Sequence, residues 1–272
     1  MLRWIGCGRL FATRISRRFI EERFAQLSAS LAYTTLLSIV PLVAVILGIM
    51  SMLPFFPALI KQLEQLVAYT FLPERNAGMI ITYVLEFSQK ATKVTVAGVI
   101  GLVVAVLVLL LNVERAFNHV WRVEESRPWW KKVALAATVV ALWPFVVAAV
   151  VFAVYHALTT SLGFIDEAEW LREYVFKIAG LAVAAAFFAA LYATVPNARV
   201  AARDALPAGL VSASLLILMQ KAFGFYLSLF STFTLVYGAF ATVPIFLVWL
   251  YLSWAVVLLG ALVAASLAEF RA

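Results

Sequence analysis

The sequence predicts an all-α protein built as a bundle of six transmembrane helices. Three observations lead there. Hydrophobic residues make up 65% of the 272 positions and charged residues only 13%, the mean hydropathy is +1.01, and long charge-free runs recur along the chain. Soluble domains carry charge on about a quarter of their residues. The first run, 31–53, would reach roughly 34 Å as a helix, enough to cross a ~30 Å hydrocarbon core with some tilt. Just before it stand Arg3, Arg9, Arg14, Arg17, Arg18 and Arg23. By the positive-inside bias these hold the preceding arm in the cytoplasm and set the direction of every later span. The run is too long for the h-region of a cleavable signal and is expected to be retained.

Five further spans follow at about 94–113, 133–157, 176–195, 207–230 and 241–266, in one membrane domain covering 1–272 with both termini cytoplasmic. Between the first two lies 54–93, where Leu59, Ile60, Leu63, Leu66, Val67 and Phe71 recur at helical spacing. After the break at Pro73–Gly78, Met79, Ile80, Tyr83, Val84 and Phe87 do the same. This reads as an amphipathic helical hairpin outside the membrane, expected to cap the bundle, with lying in the interface as the alternative. The helix of the second span is expected to run on through residues 114–123, with Arg115, Asn118 and Arg122 as a polar stripe facing water or headgroups. Trp129 and Trp130 beside Lys131 and Lys132 mark the interface before the third span. The fourth span is rich in small residues, and Pro196 ends it. The fifth starts at Pro207, a residue favoured in a first helical turn, and the sixth carries a small-residue face at Gly260, Ala261, Ala264 and Ala265.

This topology accounts for the net charge of +7. The inside carries +7 and the outside −1, with Lys221 inside a span. That asymmetry suits an anionic inner leaflet and requires no nucleic acid. Cys7 is the one cysteine, so no disulfide forms within the chain.

Candidate contacts for a substrate or lipid come from polar groups in or near the spans. Lys221 costs ~2.5–3.5 kcal/mol on insertion scales and needs a reason to be there. It and the adjacent Gln220 are expected to face the interior, with room left by Ser212 and Ser214, while snorkelling to the outer interface is the competing account. Ser30, Thr34 and Ser38 continue a stripe begun at Gln26, which either lines a hydrophilic path or hydrogen-bonds between helices. Arg115, Arg199 and Arg203, with Asn118 nearby, sit at the inner boundary, where a guanidinium matches phosphate geometry. Enzyme chemistry finds no support. The two histidines, His119 and His156, fall on opposite sides of the membrane, and no HExxH, P-loop or Ser/His/Asp set can be assembled. The expectation is no metal, no cofactor and no catalysis.

Several phrases resemble the YihY/BrkB family of bacterial inner-membrane proteins, once labelled ribonuclease BN. They are LAYTTLLSIVPL (31–42), the Arg115, Asn118 and Trp121 pattern with Arg127 beyond it, VPNARVAARDALPAG (195–209), and YGAF (237–240) followed by PIFLVWLYLSWAVVLLGA (244–261). The resemblance implies a six-helix protein of the inner membrane engaged in transport, particularly of lipids or envelope components. It departs at Leu262, where the family often has an acidic residue after the Gly-Ala of the last span. The combined expectation is a protein that transports or handles a lipid or other anionic envelope component through anionic headgroup contacts. The alternative is a non-catalytic scaffold recruiting an envelope protein partner.

Overall fold

In hydrocarbon a backbone N–H or C=O has no water to bond, so a long apolar run satisfies itself by forming a helix. A computed structural model of the chain describes residues 2–51, 96–123, 127–134, 138, 169–229 and 242–271. Among them the main elements are α1 (Leu2–Glu21), α2 (Phe24–Ser51), α3 (Val96–Val120), α4 (Glu169–Thr194), α5 (Ala202–Leu229) and α6 (Thr242–Arg271). The last five are long and apolar enough to cross a membrane. The hairpin expected at 54–93 lies outside the described residues. So does the span expected at 133–157, apart from the helical residues 129–134 and Thr138.

The helices run past the limits read from hydropathy, because hydropathy marks the apolar stretch and the hydrogen-bond ladder continues until something stops it. α2 starts at Phe24, after a turn in which Arg23 takes a left-handed φ of 56°. α5 starts at Ala202, so Pro207 is its sixth residue rather than part of its first turn. α6 continues to Arg271. The arginine-rich arm is itself the helix α1, with Phe11, Ile15 and Phe19 on the face that packs inward. α4 stops two residues before Pro196, as the restriction on the residue preceding a proline favours.

Pairing follows from three ladders of contacts. Phe24 meets His119, Thr34 meets Asn112 and Ser38 meets the Ala105 carbonyl, so α2 and α3 are antiparallel. Tyr192 meets Ser212, and Gly209 lies against Ala185 and Ala189, so α4 and α5 are antiparallel as well. α6 packs on both pairs, chiefly against α2 and α5, and joins them. One end of the bundle gathers α1, the start of α2, the end of α3, residues 195–204 and the end of α6. We call it the charged end.

The core lies in the half of the bundle next to the charged end. Buried side chains run from Phe24 to Ser38 on α2, Val106 to Val120 on α3, Phe188 to Tyr192 on α4, Asp204 to Ala213 on α5 and Leu258 to Ser266 on α6. Among the described side chains none is buried in α4 before Phe188 or in α5 after Ala213, and between Val243 and Val257 of α6 only Leu250 is. At the centre the Tyr192 hydroxyl, fully enclosed, donates to the Val257 carbonyl at 3.0 Å and shares a 2.6 Å hydrogen bond with Ser212 Oγ. Ser212 Oγ also lies 2.9 Å from the Ala208 carbonyl, which competes with Tyr192 for its one proton. This knot ties α4, α5 and α6, and Gly260 is what admits it, since a Cβ there would collide with Ser212 Oγ and Tyr192 OH.

Overpacking a core of this kind costs about 1–3 kcal/mol, whereas alanine in place of an unconstrained helical glycine gains roughly 0.5–1 kcal/mol. Gly260→Ala should therefore lower the melting temperature of the detergent-solubilised protein. Gly180→Ala, at a position with nothing within 4 Å of an added Cβ, should hold or raise it in the same assay.

Candidate functional site

At the charged end, polar side chains that the apolar pattern cannot account for come together. Arg18 is the centre, with a side chain only 8% exposed. It donates to Glu22 through Nε (3.0 Å), to Glu269 through Nη1 (3.1 Å) and to the Val120 carbonyl through Nη2 (3.2 Å). One guanidinium thus binds α1, the α1–α2 turn, α3 and α6. Arg14 adds a second bond to Glu269 at 2.7 Å, and Arg122 reaches Glu22 at 2.6 Å. Arg122 ends α3 in the left-handed region, φ 52°, with the Val123 N–H bonded to the Asn118 carbonyl and its own N–H to that of His119. That is a Schellman cap with arginine where glycine is usual, at a backbone cost of ~1–2 kcal/mol. The cap aims Arg122 at Glu22.

Burial works to raise the Glu22 pKa. The hydrogen bonds from Arg18 and Arg122, with their charges, more than offset it and hold the carboxyl below the usual glutamate value. Arg122 is pushed up, first by its hydrogen bond to Glu22 and then by that charge. Beside this pair an open cleft of about 410 Å³ is lined by Glu22, Asn118, His119, Arg122 and Val123. His119 Nε2 lies 3.4 Å from the Glu22 carbonyl.

A second polar cluster closes the seam between the two helix pairs. The Asn197 N–H donates to Asn118 Oδ1 at 2.7 Å. Arg127 donates to Asn197 Oδ1 (3.1 Å), the Val195 carbonyl (3.3 Å) and the Pro196 carbonyl (3.0 Å). Glu114, one turn before Asn118, is buried, with Oε1 4.0 Å from Arg127 Nη1 and without a hydrogen-bond partner among the described residues.

The residues singled out from the sequence are dispersed. Thr34 accepts a 3.3 Å bond from Asn112 and donates to the Ser30 carbonyl, Ser38 donates to the Ala105 carbonyl, and Ser30 is exposed. The polar stripe is therefore spent largely between α2 and α3, while Thr35, outside it, accepts from Trp254 of α6. Asn118, expected to face water or headgroups, is buried in the seam; Arg115, Arg199 and Arg203 are exposed at the charged end. Lys221 and Gln220, expected to face the interior, are both exposed on α5, and the room expected at Ser212 is filled by Tyr192. Counted from Ala202, Lys221 lies ~29 Å along the helix rather than ~21 Å. That depth places it near the interface opposite the charged end, where a lysine can snorkel.

Sequence reading missed Arg18, Glu22, Glu114, Tyr192 and Glu269. The spacing of Arg18 and Glu22, four apart on a helix, was the available signal for the first two. Nothing local reports the other three, whose partners are distant in the chain. Among the described residues no three His, Cys, Asp or Glu side chains gather as metal ligands would.

Because the Glu22 carboxyl is depressed in the folded protein, its stabilisation is complete above the ordinary glutamate value of 4.5 and drains away as pH falls through the lowered value. Glu22→Gln should cost about 1–3 kcal/mol near neutrality. Its melting temperature should then fall less steeply on acidification than the parent's, in parallel thermal melts.

The family model described as virulence factor BrkB matches residues 15–272. A UPF0761 membrane protein of Aromatoleum aromaticum is 38% identical over 266 residues, covering 98% of this chain and 65% of the relative. One of an Azoarcus species is 39% identical over 260 residues, covering 96% and 64%, and one of Bordetella petrii 38% over 264, covering 97% and 58%. The chain thus spans less than two thirds of the length of these curated relatives. No solved structure gives a significant match. With a family match over nearly its whole length and five helices able to span a bilayer, the chain belongs to the YihY/BrkB (UPF0761) family and is a multi-pass protein of the bacterial inner membrane.

Proposed function

We propose that the protein transports or handles a lipid or other anionic envelope component, with its charged end in the cytoplasm and its cargo admitted sideways into the opposite half of the bundle. The observation that carries this reading is the uneven packing. Among the described side chains, core positions and ionic ties concentrate at the charged end, while in the other half α4 and α5 show no buried position and α6 only Leu250. An amphiphile needs such an unsealed region to leave the bilayer, and a bundle packed solid from end to end would offer none. Lys221 and Gln220 belong to that half, near the depth of the outer headgroups, where an ammonium can meet a phosphate. Arg115, Arg199 and Arg203 stand exposed at the other interface and would meet inner-leaflet phosphates. Thr34 and Ser38 lie on the side of α2 that meets α3, Ser30 is exposed one turn before Thr34, and Asn118 closes the seam between the helix pairs. The family description as a virulence factor suits work on the envelope and specifies no chemistry. No catalytic step, cofactor or nucleic acid enters this account.

Proteoliposomes test it. Fluorescent phosphatidylglycerol should cross or leave the bilayer faster with the protein than without, and faster than phosphatidylcholine. Lys221→Met should remove most of that gain while preserving folding, because it deletes a charge that is costly to insert. No acceleration for either lipid, together with capture of an envelope protein by cross-linkers placed in 54–93, would favour a scaffold. Orientation is read separately: in a Cys7-free background, an impermeant thiol reagent added outside should label a cysteine at Gln62 and spare one at Arg127.

A further inference from the structure

The unpartnered oxygen of Glu114 has no place in the closed seam. A carboxylate with a side chain 5% exposed is costly to bury unless its acceptors are used, and native proteins rarely leave one idle. Among the described residues the cation that faces it, Arg127 Nη1, stands 4.0 Å away, close enough to balance the charge and too far for a hydrogen bond. What keeps it away is visible. Nε, Nη1 and Nη2 of Arg127 are each directed at an acceptor in 195–197, and the guanidinium is a rigid planar fork whose donors turn together. Moving ~1.2 Å onto Glu114, to a normal charge-assisted distance of ~2.8 Å, would swing the fork off that segment.

We propose that Arg127 is a two-position latch between the helix pairs, and that Glu114 is its second seat. In the latched position, the one described, Arg127 grips residues 195–197 at the end of α4, and Asn118 on α3 holds the Asn197 N–H beside it. In the released position Arg127 pairs with Glu114, the 195–197 segment is let go, and α4 and α5 part from α2 and α3 at the charged end. The orphaned acceptor supplies what an opening seam otherwise lacks, a destination for a cation whose side chain is only 20% exposed. Without it, release would give up three hydrogen bonds with no protein acceptor gained in exchange. The two positions then differ by an exchange of hydrogen bonds, so a modest push can move the equilibrium. This inference rests on the reading that cargo passes through the bundle, and it adds a gate at the charged end, away from the half that admits the cargo.

The test uses the whole chain in lipid nanodiscs, with Cys7 replaced by serine and nitroxide labels at Ala25 on α2 and Ala193 on α4, both exposed at the charged end. Pulsed electron-electron distance measurements report the gap. Asn197→Ala removes one acceptor of the latched position and should raise the long-distance population about tenfold, the scale of one hydrogen bond to a charged group. Adding Glu114→Gln should return the distribution toward the short distance, because the second seat is lost. Gln is close to Glu in shape, and near-parental melting behaviour would show that the fold survives. The latch is overturned if Asn197→Ala leaves the distances unchanged, or if Glu114→Gln fails to reverse its effect. Neither result touches lipid movement in proteoliposomes, where the transport reading stands or falls by itself.

Discussion

A buried guanidinium must be given acceptors, and the charged end is organised around that requirement at Arg18. Its three donating nitrogens reach three different parts of the chain, Glu22, Glu269 and the Val120 carbonyl. Leaving any of them unmet would expose the cation to an apolar surrounding that solvates it poorly. The helix α1 therefore cannot drift over the membrane surface as an arm of six arginines could. It is pinned across the mouth of the bundle, with Ile15 in the core. The exposed pair of Arg17 and Glu21 on the same helix does far less, because water and salt screen it.

The two polar clusters at this end do different work. Around Arg18 and Glu22 every ionised group has an oppositely charged neighbour in contact, and two left-handed arginines, Arg23 and Arg122, flank the turn that carries Glu22. Such backbone strain persists only where the surroundings over-determine it. Around Arg127 the acceptors are carbonyls and an amide, with the Glu114 carboxylate left at a distance. The first cluster is a fixture and the second a joint. Between them lies the Phe117 ring, 6.1 Å from Tyr192, where α3 and α4 touch directly.

Local composition made the spans legible from sequence. Apolar runs have few alternatives in a bilayer, so helices over 31–53, 94–113, 176–195, 207–230 and 241–266 could be read with ends displaced by a few residues. The displacement mattered once, at Ala202, where five extra residues carried Lys221 from the outer half of the span to near its outer end. The direction of side chains was harder to read. Asn118 and Arg115 look alike from composition, yet the ~60° between them around the helix, three steps of ~100°, takes one into the seam and leaves the other exposed. Tyr192, Ser212 and Gly260 form one knot from three spans, and no window of sequence contains it. The arginines before the first span were read as a topology signal alone, which hid the apolar face of Phe11, Ile15 and Phe19 among them.

The central position of α6 has a consequence for biogenesis. The two antiparallel pairs precede it in the chain, so during insertion each can close on itself, while their mutual surface stays incomplete until residues 258–266 arrive to fill it. That final segment is nearly all small or aliphatic, with each of Gly260 to Ser266 buried, and it slides between preformed partners with little side-chain ordering to complete. A ribosome stalled before α6 would leave the Tyr192 hydroxyl without the Val257 carbonyl and Arg18 without Glu269. Those are polar groups that membrane-bound chaperones and proteases could recognise as marks of an unfinished protein.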